Sequence, residues 1–74
     1  MSRLIRMDRT GHTTIAEWTA GDPESTNAAV TAFHEQLEQG CFAVVSEGPG
    51  RARQVSELPV QEPVVILRRP IAGG

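Results

Sequence analysis

Four consecutive apolar residues, Val64-Val65-Ile66-Leu67, three of them β-branched, stand close to the end of a 74-residue chain. A run with no polar residue alternating through it is the pattern of a strand buried on both faces, and such a strand belongs in the middle of a sheet. A chain this short buries only about 60% of its unfolded surface and supports one core, so it reads as one domain. A last strand that is also central must then slot between strands already laid down. Cys41 is the only cysteine, which excludes an internal disulfide and a multi-cysteine zinc site, and leaves stability to packing.

The preceding elements follow from local pattern. Residues 3–8 and 13–18 are short runs rich in Leu, Ile, Met, Thr and Trp, separated by Arg9-Thr10-Gly11-His12. Glycine supplies positive φ at a turn, so the two runs read as a β-hairpin, with Leu4, Ile5 and Met7 near one another and Ile15, Ala16 and Trp18 likewise. Asp22-Pro23-Glu24 is a helix start: a capping carboxylate, proline at the first helical position and an acid against the dipole. Thr26, Ala29/Val30, Phe33 and Leu37 recur at helical spacing, whereas Glu24, Asn27, Thr31, Glu35 and Glu38 fall on the other side. Gly40 closes a helix expected over 23–39. An apolar strand over 41–45, a turn at Gly48-Pro49-Gly50, a strand over 51–55 and an irregular connection over 56–63 complete the order β-β-α-β-β-β. If the last strand lies beside the first, it runs parallel to it, between the first and third strands, with the helix across one face. That arrangement is a β-grasp, an α+β fold with a mixed sheet.

Composition narrows the partners. The formal net charge is -2 and no basic cluster exceeds Arg68-Arg69, so no electrostatic footprint for nucleic acid is expected. The start of the chain is too polar for a signal peptide and no apolar run approaches a membrane span, so a cytoplasmic protein without membrane contact is expected. All seven basic residues are arginine. A genome rich in G and C explains that as well as selection does, but either way the chain offers no ε-amine.

After the last strand come Arg68, Arg69, Pro70, Ile71, Ala72, Gly73 and Gly74. A carboxylate is a poor acyl donor, so a protein attached through its own C-terminus must first be activated, typically as an acyl adenylate. A narrow channel around that carbonyl favours residues without side chains, and glycine also accepts any φ the channel imposes. Five residues from Pro70 span roughly 17 Å when extended. Pro70 stiffens the exit and biases Arg69 towards extended backbone. The division is thus a folded unit over 1–69 and a flexible tail over 70–74. The plainer reading of Gly73-Gly74 is a frayed end.

Thr10-Gly11-His12-Thr13 in the first turn, and the aliphatic strand leading through arginines to Gly73-Gly74, are the residues on which the chain resembles the ubiquitin family, whose namesake has a Thr-Gly-Lys-Thr turn. The element order extends the resemblance over nearly the whole chain. It implies a ubiquitin-like protein modifier of a bacterial conjugation system, with Gly74 as the activated and conjugated residue. Gly73, Ala72, Ile71, Arg69 and Arg68 would be read by the enzymes that handle the tail. The implied partners are an activating enzyme, a conjugating enzyme, target proteins joined by isopeptide bonds and a deconjugating protease; no cofactor is implied. In the sister branch of sulfur carriers, the adenylate becomes a thiocarboxylate at the same glycine. A third reading is a β-grasp interaction module that is never activated. The chain departs from the family pattern in its lack of lysines, its shorter connection into the last strand, and Pro70 and Ile71 in the tail.

Other residues admit two readings each. Arg68 and Arg69 either dock an acidic groove through bidentate contacts or simply solvate the strand end. Cys41, with no base beside it in sequence, reads as a buried structural thiol before a nucleophile. His12 and His34 are isolated and make no metal site. Trp18 reads as a core or edge anchor. No Ser/His/Asp set or paired carboxylates emerge, so the chain reads as a substrate of enzymes and not as an enzyme. Exposed apolar residues on the sheet are the recognition handle that the resemblance implies, with Val44, Val45, Val55 and Ile66 as candidates.

Overall fold

The computed structural model describes residues 1–8 and 11–69. Arg9 and Thr10, expected in the first turn, lie outside them. One helix packs on a mixed five-stranded sheet: β1 (Ser2–Asp8), β2 (Gly11–Trp18), α1 (Pro23–Glu38), β3 (Phe42–Gly48), β4 (Arg51–Val55) and β5 (Val64–Arg68). The strand order is β2-β1-β5-β3-β4. β5 runs parallel to β1, with Leu4 opposite Val65, and antiparallel to β3, with Val44 opposite Ile66.

The helix begins with Pro23 at its first turn and ends before Gln39, and Gly40 follows at φ 100°. A side chain is strained there, which is why glycine stops the helix. Asp22 occupies the N-cap position, yet its carboxylate makes no capping bond. Ser25 takes over locally: its hydroxyl accepts from the Thr19 N–H at 3.1 Å and donates to the Asp22 carbonyl at 3.4 Å.

The core lies between the helix and one face of the sheet. Leu4, Ala43, Val45, Val65 and Leu67 point inwards and meet Ala29 and Phe33 from the helix, with Trp18 at one side. Burying a side chain such as Phe33 or Leu67 stabilises by roughly 1.5–3 kcal/mol. The Trp18 indole also donates Nε1–H to the Val60 carbonyl at 2.9 Å, which anchors the irregular segment 56–63 to the sheet. Trp18 is thus a core anchor.

Several sequence expectations need correction. Leu4 does not share a face with Ile5 and Met7, because side chains alternate along a strand; Leu4 is buried and Met7 is exposed. Gly11 and His12 belong to β2 and not to the turn. The pairing of β1 with β2 slips between Leu4 and Ile5, leaving Ile15 as an extra residue, and both Ile15 and Ala16 then pack against the core. Cys41 precedes β3, which runs on to Gly48. β5 is central but covered on one face only: Val64 is 41% exposed while Val65 and Leu67 are fully buried. A single helix can cover one side of a sheet and no more.

Candidate functional site

β5 brings the chain out of the middle of the sheet at a corner where three other elements end or begin. Arg68, its last residue, stands opposite Met7 of β1 and Phe42 of β3. The helix also finishes here, since only Gln39, Gly40 and Cys41 separate it from β3.

Gln36 ties the corner together. It is a buried polar residue on the inner side of the helix, and its Oε1 accepts from Arg6 Nη1 at 3.3 Å and from the Cys41 thiol at 3.7 Å. Its backbone carbonyl accepts the Cys41 N–H at 3.1 Å. Buried amide groups destabilise unless bonded, so this network both satisfies Gln36 and fixes the ends of β1, α1 and the entry to β3 against one another. Sequence reasoning missed Gln36. The signal was its place seven residues after Ala29 and three after Phe33, on the apolar stripe.

Arg68 and Arg69 are both exposed. Arg69 lines a small polar depression of about 260 Å³ together with Arg6, Met7 and Asp8. The other expected tail residues, Pro70, Ile71, Ala72, Gly73 and Gly74, lie outside the described residues. Cys41 is a free buried thiol and sits in the Gln36 network, in keeping with a structural role. His12 lies exposed on β2, and His34 lies exposed on the helix with its ring 5.9 Å from that of Phe33. Among the described residues no group of three or more His, Cys, Asp or Glu side chains is placed to hold a metal, and no helix is long and apolar enough to cross a membrane.

The face of the sheet away from the helix carries the second feature. Ile5, Ile66 and Val44 form one row across β1, β5 and β3, each half-buried. Val64 and Met7 extend the apolar surface at 41% and 38% exposure. At one margin Arg3 pairs with Glu17 at 3.4 Å. Of the four handle candidates, Val44 and Ile66 therefore point outwards, while Val45 and Val55 belong to the inner face. Chemically, this combination offers a firm exit with exposed guanidinium groups and an apolar surface beside it. Neither a family model, nor a curated protein, nor a solved structure matches the chain.

Proposed function

We propose that the fold is a β-grasp of the ubiquitin-like kind and that the protein is a modifier whose Gly74 carboxyl is joined to target proteins. The observation that carries this reading is the placement of β5 at the centre of the sheet, parallel to β1 and running out through Arg68 and Arg69. A central last strand leaves the domain in front of the conjugated end free to serve as a handle. The open row of Ile5, Ile66 and Val44 is the surface by which enzymes or receptors hold it.

The chemistry proceeds in four displacements, all of them on partner enzymes. The Gly74 carboxylate attacks the α-phosphate of ATP on an activating enzyme, giving the acyl adenylate and pyrophosphate. A cysteine thiolate of that enzyme takes the acyl group with loss of AMP, and a cysteine thiolate of a conjugating enzyme then takes it from the first thioester, expelling the first thiolate. An amine of the target attacks the thioester carbonyl, expels the thiol and forms the amide, which a deconjugating protease later hydrolyses. Arg68 and Arg69 supply planar donors suited to carboxylates on the activating enzyme. This chain contributes a substrate and no catalytic group.

The test is expression of the N-terminally tagged chain in its source organism, with and without Gly73-Gly74, followed by denaturing electrophoresis. Tagged species heavier than the free protein that vanish with the truncation support the modifier. A free band alone removes it. A free band whose mass shows a sulfur-for-oxygen exchange replaces it with a sulfur carrier.

A further inference from the structure

The sheet has two edges, and they are built differently. β2 is interrupted by the extra residue at Ile15, packs against the helix and carries Glu17 tied to Arg3. An extra residue within the edge strand itself blunts that edge, whereas the irregularity beside β4 falls in β3, between Ser46 and Gly48. β4 pairs only with β3, contains no proline or glycine, and leaves four of its five residues exposed. Its outer side presents backbone N–H and C=O groups to any strand that aligns with it.

The charge on that edge is one-sided. β4 reads Arg-Ala-Arg-Gln-Val, with two cations and no acid. Arg53 is paired with Glu47, whereas Arg51 carries no ion pair among the described residues. Beside β4, on the open face, lies a groove of about 360 Å³ floored by Val44, Ile66 and Ala52 and flanked by Arg51 and Arg68. Ala52, the smallest side chain of the strand, leaves the groove open towards the edge.

We infer that β4 is a docking edge for an extended acidic segment of another protein, which adds to the sheet as a sixth strand. Main-chain hydrogen bonds along β4 supply the affinity, and side-chain alternation supplies the selectivity. A carboxylate of the added strand meets Arg51, a second competes with Glu47 for Arg53, and an apolar side chain between them leans over Ala52 into the groove. A second copy of this chain is the wrong occupant: antiparallel self-pairing centred on Ala52 sets Arg51 opposite Arg53 twice, and like charges directly opposite are destabilising. A nucleic acid would engage the arginines and leave the backbone edge unpaired. The inference is independent of whether Gly74 is conjugated.

The probe is a capped heptapeptide alternating glutamate and valine, titrated into the isotope-labelled full chain. Amide shifts are expected over 51–55 and at Val44 and Ile66, with slowed exchange of the outward amides of β4. Replacing the glutamates by lysines is expected to weaken binding about tenfold or more. The surface variant Arg51→Glu, checked for an unchanged spectrum elsewhere, is expected to weaken it about three- to tenfold. Of two peptides N-methylated on alternate amides, one set should abolish binding and the other preserve it. Equal binding by both N-methylated peptides, equal binding by the lysine peptide, absence of shifts at millimolar peptide, or shifts that spare 51–55 would each overturn the inference. So would a single-stranded oligonucleotide that moves the same amides while the peptide does not.

Discussion

The two faces of the sheet are made by alternate residues of the same strands, yet they differ in how far their apolar side chains are sealed. Towards the helix, Leu4, Ala43, Val45, Val65 and Leu67 have no accessible surface. Away from it, Ile5, Val44 and Ile66 stay half-buried and Val64 and Met7 are exposed. Folding accounts for the first set, since deleting any of its members opens a cavity. Packing within the domain does not account for the second, and an apolar row left in partial contact with water is available to a partner.

Adjacent residues of β5 test that contrast most severely. Leu67→Ala is expected to destabilise by about 2–5 kcal/mol in urea denaturation, the range for a truncated core leucine. Ile66→Ala, one residue away on the open face, is expected to cost about 1 kcal/mol while weakening recognition by whatever partner holds that face. Similar losses of stability at both positions would mean the faces are equivalent and the open row is merely a second core. An effect smaller than that of Leu67→Ala is expected from Trp18→Phe, which keeps most of the buried ring but removes the bond to Val60; about 1–2 kcal/mol should be lost, with faster amide exchange over 56–63. Should that exchange stay unchanged, Trp18 does not anchor the segment. Smallest of all is Asp22→Ala. An N-cap that bonds its helix is typically worth about 1 kcal/mol, but this carboxylate makes no such bond, so the change in thermal midpoint should correspond to about 0.5 kcal/mol or less.

How much of this was legible in the sequence depended on whether the signal was local. Pro23 and Gly40 mark the helix because they act through their own φ and hydrogen-bonding, and the helix begins and ends beside them. The turn at 48–50 is legible for the same reason. What depends on layers was not. Val64 to Leu67 reads the same whether one or both faces are covered, and only the number of helices decides. The extra residue at Ile15 was hidden because two neighbouring apolar residues look like noise in a period of two. Asp22 has the right side chain for a cap, but Ser25 already supplies the hydroxyl that organises the entry to the helix. At the candidate site, Arg68 and Arg69 are exposed at the exit as their position predicts, while Gln36, which braces that exit, was masked by its polarity.

The pairing of Leu4 with Val65 also orders events in time. The first and last of the described strands lie side by side, so the contacts that close the sheet span nearly the whole described chain. Contacts of such sequence separation are slow to form, and they are unavailable until synthesis has passed β5. A nascent or prematurely terminated chain would therefore expose the inner faces of β1 and β3 with nothing between them. Any partner that reads the open row, which needs β1, β5 and β3 side by side, meets it only after β5 has joined the sheet, so the topology makes that surface conditional on closure.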